Sequence, residues 1–156
     1  MLRTGVLRVS PSAPTLRPAL QADLPQVEAM LAAANLPVAG VAESLQGFVV
    51  AEDGGELVGV AGVERHGEDG LLRSVAVAPA HRGRGLGARL TEGVMDAARS
   101  AGHRRLYLLT TTAAAYFPRH GFHTIQREEV AAAVRESVEF REACPASAVA
   151  MVLELE

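Results

Sequence analysis

An apolar strand running into a basic, glycine-rich turn and then a helix constrains this chain more than any other feature. The stretch reads Val75-Ala76-Val77-Ala78-Pro79-Ala80-His81-Arg82-Gly83-Arg84-Gly85-Leu86-Gly87. A turn of this kind aims backbone N–H groups and a helix N-terminus at one point, which is what a pyrophosphate needs. Gly85 and Gly87 allow the backbone to approach an anion without a Cβ in the way. Arg82, Arg84 and Arg89 add positive charge close by. The expectation is a bound phosphorylated cofactor.

Two other phosphate loops do not fit. The turn lacks the Gly-Lys-Ser/Thr ending that serves a nucleotide's β- and γ-phosphates, and its glycines miss the dinucleotide fingerprint. The chain has 156 residues, 49% apolar and 21% charged, which suits one soluble globular domain. A net charge of −3 argues against a dedicated nucleic-acid binder, so the arginines are read as serving one ligand. No apolar run approaches the roughly 18 residues of a membrane span. Residues 1–14 carry arginines but no apolar signal segment and are expected to be a flexible tail before a single domain at 15–156. The single Cys144 cannot form an internal disulfide, in line with a reducing, cytoplasmic setting. The five histidines and one cysteine show no metal-ligand spacing.

Periodicity and turn chemistry predict the elements. Thr15–Leu20 reads as a strand, then Asp23 as the cap of a helix carrying Leu24, Val27, Met30, Leu31 and Ala34. Val41–Leu45 reads as a second short helix. Gly47–Glu52 and Glu56–Arg65 flank Asp53-Gly54-Gly55, a hairpin signal, and a turn at Gly67–Gly70 leads into a strand at Leu71–Ala78. The next helix shows a stripe of Leu86, Leu90, Val94, Ala97, Ala98 and Ala101 and ends at Gly102. Arg105–Thr110 is then a strand parallel to Leu71–Ala78, joined to it by a right-handed crossover. A short helix at Ala113–Arg119, a strand at His123–Arg127, a helix at Val130–Glu142 and a last strand at Ser147–Leu155 complete the order.

Arg82-x-x-Gly85-x-Gly87, in that order of elements, resembles the pyrophosphate loop of the GNAT N-acetyltransferases, which bind acetyl-coenzyme A. The resemblance implies an α/β (α+β) fold. Its sheet would be mixed, mostly antiparallel, of six to seven strands splayed at the centre and flanked by four to five helices. Leu71-Leu72-Arg73-Ser74-Val75-Ala76-Val77, Leu108-Leu109-Thr110-Thr111-Thr112-Ala113 and Glu139-Phe140-x₃-Cys144-Pro145-Ala146-Ser147-Ala148 are similar to the small acetyltransferases of arsenic-resistance operons. The Leu-Leu-Thr-Thr-Thr segment with Tyr116-Phe117 also resembles the acetyltransferase domain of N-acetylglutamate synthases. Both likenesses imply a small amine acceptor bearing acidic groups. Relatives of this fold are often dimers, and the closing strand is a candidate for pairing between subunits. A non-catalytic acyl-coenzyme A-binding module and a protein or peptide N-acetyltransferase are the alternatives.

By the resemblance, the strand before the glycine turn parts from the strand after its helix, and the pantetheine arm fills the gap. Val75, Ala76 and Val77 would then meet pantetheine through their backbones, and Arg82, Gly83, Arg84, Gly85, Leu86, Gly87 and Ala88 would take the pyrophosphate. Thr111 and Phe117 are further expected cofactor contacts, while Thr110 and Thr112 serve pantetheine or cap the next helix. Acetyl transfer needs a neutral amine, and alkyl ammonium has a pKa of about 10, so a base or a water chain is required. Glu64 is the first candidate, acting directly or through water, with His66, Glu68 and Asp69 nearby and His66 the substitute. Many relatives place a tyrosine four residues before the Gly-Phe pair to protonate the leaving thiolate. Here that position is Phe117, and Tyr116 precedes it. The thiolate would be protonated by water or by Tyr116, the candidate acid, whose other role is half-buried packing. Arg73 interrupts an apolar strand, shares parity with Val75 and Val77, and wants a carboxylate from either the acceptor or a protein glutamate. Arg127 is a second acceptor candidate and Arg141 a weaker one. Cys144 reads as an inert thiol.

Overall fold

Seven strands form one mixed sheet in the order β1-β2-β3-β4-β5-β7-β6. The structure, a computed structural model, describes residues 13–111, 113–137 and 148–155. β1 (Thr15–Pro18), β2 (Phe48–Asp53), β3 (Glu56–His66) and β4 (Asp69–Val77) pair antiparallel in chain order. The β2–β3 turn consists of Gly54 and Gly55, both at positive φ (63° and 86°), the geometry that matches the twist of a hairpin. The β3–β4 turn is also only two residues long, so β4 starts at Asp69 rather than at Leu71. β5 (Arg105–Thr110) lies parallel to β4 after the crossover through α2 (Leu86–Ser100). β7 (Val149–Glu154) sits between β5 and β6 (His123–Ile125), with both edges paired. Within one chain both neighbours of the closing strand are thus supplied by β5 and β6.

Each face of the sheet has its own core. On one side Leu86, Leu90, Val94, Met95 and Ala98 of α2 pack on Ala51, Val58, Ala61, Val63, Leu72, Leu106 and Leu108. Ala97 and Ala101, expected in the buried stripe, are exposed, and Thr91 and Met95 take that face. On the other side Val27 and Leu31 of α1 (Leu24–Ala33) cover Phe48, Val50, Val60 and Ala76. There too Val130 and Val134, the latter from α3 (Ala132–Arg135), cover Leu71, Tyr107, Ala150 and Val152. Among the described residues these three α-helices are joined by five 3₁₀ segments.

Several local expectations change. Asp23 precedes α1 but does not cap it with its side chain. Its carboxylate turns back to accept from Leu20 N–H at 2.7 Å and from Arg17 at 2.8 Å, which holds it below the ordinary aspartate range. Val41–Leu45 is realised as a 3₁₀ turn at Ala42–Gly47. The expected helix at Ala113–Arg119 becomes one turn followed by a 3₁₀ segment at Phe117–His120, because Pro118 has no N–H to continue a helix. Of the expected Val130–Glu142 helix only Ala132–Arg135 is helical, with Glu136 as its C-cap, and residues 138–142 lie outside the described residues. Thr112, Arg141, Cys144 and nearly all of the proposed 1–14 tail lie outside the described residues.

Candidate functional site

The sheet is open at its centre. β4 pairs with β5 only at Asp69↔Arg105, Gly70↔Leu106 and Leu71↔Tyr107, and beyond Leu71 the two strands part. A bulge then re-aims β4. Two steps on β3, Val60 to Gly62, face three on β4, Ala76 to Arg73, and Ser74 sits at φ +65°. Leu72 and Val75 consequently point to the same α2-side core although they stand three positions apart, an odd offset that regular alternation would put on opposite faces. The parity expected between Arg73 and Val75 is therefore broken by the bulge. Past it, Ala78 N–H donates to Val58 O at 2.8 Å, so by strand alternation the backbone groups of Val77 and Val75 point away from β3 and into the gap. Ala76 is turned the other way. It pairs with Val60 and its side chain belongs to the α1-side core, which removes it from the gap contacts expected of it.

A basic corner closes the upper end of the gap. The 3₁₀ turn Pro79–His81 is tied to the β2–β3 hairpin by His81 Nε2 on Asp53 Oδ2 at 3.2 Å. Gly83 and Gly85 adopt φ of 78° and 81°, and a Cβ at either would meet nothing within 4 Å, so the space in front of them is open. Gly85 begins α2 without a side-chain cap. The amides of Leu86, Gly87 and Ala88 in the first turn therefore have no intrahelical acceptor. Leu86 itself is anchored in the core, and Gly87 and Ala88 are half-buried. Arg84 and Arg89 are exposed, as is Arg82, whose Nε donates to Val77 O at 3.0 Å. Between this corner and the end of α1 lies a cavity of about 380 Å³ whose walls include Met30, Ala33, Val77, Pro79 and Arg82. Among the described residues no group of acidic, histidine or cysteine side chains could hold a metal ion.

Below the bulge, on the face between α1 and α3, a buried polar cluster forms. Arg73 Nη1 donates to Glu64 Oε2 at 2.5 Å, with the two side chains 0% and 7% exposed. Arg73 also donates to Ala39 O at 2.7 Å, Pro37 O at 2.9 Å and Ser74 Oγ at 2.9 Å. The second oxygen of Glu64 meets His66 Nε2 at 2.9 Å. Burial alone would push the Glu64 carboxyl up, but hydrogen bonds from His66 and Arg73, with the charge of Arg73, outweigh it and hold the group below the ordinary glutamate value. Of the two partners open to Arg73, the structure supplies the protein glutamate. In this arrangement the guanidinium also fastens the loop after α1 to the sheet. Gly40 stands against the pair, where a Cβ would come within 3.1 Å of Glu64 Oε2 and 3.2 Å of Arg73 Nη1.

The remaining expected residues are spread more widely. Tyr116 is half-buried against Phe117 and His120, with ring centroids 5.1 and 5.0 Å apart, and its buried hydroxyl has no hydrogen-bond partner among the described residues. Phe117 packs edge-on to Phe122 inside the α2-side core, so its contribution is to the floor below the gap. Thr111 is exposed just after β5, and Thr110 Oγ1 accepts from Ala113 N–H at 2.9 Å. Arg127 is half-buried and donates to Ala148 O at 3.4 Å. Glu68 and Asp69 lie at the β3–β4 turn, away from the cluster; Glu68 pairs with Arg104 at the surface. Ser74 was missed by sequence reasoning. Only its place beside an arginine inside an apolar run could have drawn attention to it.

A family model described as the acetyltransferase (GNAT) domain matches residues 44–124. The amino-acid acetyltransferase of Mycobacterium tuberculosis is 35% identical over 96 residues, which cover 59% of this chain and 55% of that protein. The amino-acid acetyltransferase of Neisseria meningitidis is 33% identical over 85 residues, covering 53% of this chain and 20% of that protein. The chain thus spans about half of the one relative and a fifth of the other. The crystal structure of Rv2747 from Mycobacterium tuberculosis in complex with CoA and a second ligand superposes with a TM-score of 0.77 at 26% identity, covering 92% of this chain and all of that one.

Proposed function

The chain belongs to the acetyltransferase (GNAT) domain family, and from that premise we propose that it moves the acetyl group of acetyl-coenzyme A to the amine of a small, amino-acid-like acceptor. The observation that carries the reading is the unpaired edge of β4 leading directly into an uncapped helix start. Backbone groups of Val75 and Val77 offer an amide chain the partners of a missing strand. Beyond them, the open cradle at Gly83 and Gly85, the amides of Leu86 to Ala88 and the charges of Arg82, Arg84 and Arg89 fit a diphosphate. The names of the two curated relatives support an amino-acid acceptor, and the bound CoA of the solved relative supports the donor.

Acetyl-coenzyme A supplies an activated carbonyl and a thiolate leaving group. The amine attacks that carbonyl directly, the C–S bond breaks as the C–N bond forms, and no acyl-enzyme intervenes. The chain's task is to take a proton from the amine and return one to sulfur. We assign proton removal to Glu64 acting through His66. An ionised Glu64 draws the imidazole proton to Nε2, which leaves Nδ1 as the accepting atom. Tyr116 is the candidate donor to sulfur, supported by its buried hydroxyl, which has no partner among the described residues. Arg73 keeps Glu64 ionised and shapes the acceptor wall through Pro37 and Ala39, with Arg127 as a further candidate for the acceptor and Thr111 for the cofactor. We place the reaction in the cytoplasm, with any homodimer formed through surfaces other than β7. Among the described residues no helix is long and apolar enough to cross a membrane.

Release of free thiol from acetyl-coenzyme A tests the reading when followed across amino acids, simple amines and peptides. Turnover with an amino acid and the matching N-acetyl product by mass spectrometry are expected. Tight coenzyme A binding with no thiol release across the panel would replace transfer by a binding role.

A further inference from the structure

Ser74 stands where the gap begins and has a property none of its neighbours shares. It holds φ +65°, a conformation that glycine adopts freely and L side chains resist. Strain of this kind persists where the surroundings fix it, and here the bulge and the Arg73 hydrogen bond both do. Its hydroxyl oxygen accepts from Arg73 Nε at 2.9 Å, which puts it on the face between α1 and α3 with the Glu64 cluster. Receiving an N–H from a guanidinium makes an oxygen a poor base and its own O–H a stronger donor. A nucleophilic serine would need a base beside it, and arginine is not one. The remaining role for the hydroxyl is to give a hydrogen bond.

We propose that the Ser74 hydroxyl donates to the thioester oxygen of acetyl-coenzyme A, as a side-chain partner to the backbone N–H groups on the β4 edge. This rests on the acetyl-transfer reading. With the diphosphate beyond Pro79, an arm laid along Val77 and Val75 brings its reactive end down to Ser74. The donor is fixed before the reaction, so it meets negative charge on that oxygen without reorganising.

Acetyl-coenzyme A labelled with ¹³C at the thioester carbonyl, bound to the full chain, gives the test by infrared difference spectroscopy. Ser74→Ala is expected to move the bound carbonyl band to higher frequency, to leave coenzyme A affinity unchanged and to lower kcat about 100-fold. Ser74→Gly, which lacks the hydroxyl but suits the positive φ, is expected to match Ser74→Ala in band position and kcat while melting at a higher temperature. An unmoved band, or a glycine variant with wild-type turnover, would overturn the proposal, the latter by showing that backbone shape alone matters. Should Ser74→Ala fail to fold, the glycine variant decides by itself. If the wild-type chain gives no bound band at all, the acetyl-coenzyme A reading fails first and takes this proposal with it.

Discussion

Glu64 and Arg73 form a buried ion pair, the kind of contact whose loss costs most when only one partner is removed. Both side chains are buried, so each charge leans on the polar groups around it: Glu64 on Arg73 and His66, and Arg73 on Glu64, Ser74 and the carbonyls of Pro37 and Ala39. Glu64→Gln is expected to cost about 3 kcal/mol in chemical denaturation at neutral pH, since it removes a buried carboxylate from a buried guanidinium. The pH dependence follows from the direction of the carboxyl's shift. A folded-state value below the unfolded one, about 4.3, gives stability that is fully present above that pH and is lost as pH falls through the folded value. The difference in unfolding free energy between wild type and Glu64→Gln is therefore expected to shrink on acidification below about pH 4. A constant difference would mean that Glu64 is not held ionised by its partners. Arg73 was legible in the sequence as a lone charge in an apolar strand. Its partner was not, because the nine-residue separation becomes a contact only through the β3–β4 hairpin, and the bulge at Ser74 then reverses the parity that sequence spacing implies.

The corner and α2 place two demands on one element, a buried stripe and an open first turn. Leu90 is fully buried at the centre of the α2-side core, and Leu90→Ala is expected to cost about 3 kcal/mol, or about 10 °C in Tm for a chain of this size. Coenzyme A affinity should change little in that variant where it remains folded. Gly85→Ala is expected to behave in the opposite way. The φ of 81° costs an L residue about 1 kcal/mol, but the new methyl projects into the open space in front of the helix start. Titration calorimetry should show coenzyme A binding at least about tenfold weaker, or about 1.4 kcal/mol, with only a small fall in Tm. The strand–turn–helix unit was readable because glycine, proline and leucine each mark it locally. Ala97 and Ala101 were misplaced because alanine carries almost no facing preference, whereas Thr91 and Met95 sit at the spacing that meets the sheet. Pro118 ended the expected helix after Ala113 for an equally local reason, but its effect on register needed the structure.

Across the whole molecule the sheet is two bodies joined by a short hinge of pairing. β1 to β4 form one half and β5, β7 and β6 the other, with only three residue pairs between β4 and β5 and the helices bridging above and below. An amide chain laid in the gap would continue the ladder from one half to the other, so its binding should register as stability of the entire fold. At a coenzyme A concentration about 100 times its Kd, linkage gives about 2.7 kcal/mol, which corresponds to a rise in Tm of about 5–10 °C for a domain of this length. The chain carries a net charge of −3, yet the corner gathers Arg82, Arg84 and Arg89 at its surface. Attraction of a phosphate-rich ligand therefore depends on this local cluster against the sign of the whole, and added salt screens exposed charges within about 10 Å or less. The rise in Tm with coenzyme A is thus expected to fall as salt is added, and to fall further in Arg84→Ala, while the Tm of the unliganded chain moves much less. Thermal melts across a salt series with and without coenzyme A read both quantities in one experiment. A Tm unmoved by coenzyme A at low salt would mean that the gap does not take the arm, and the site would then have to be sought away from β4.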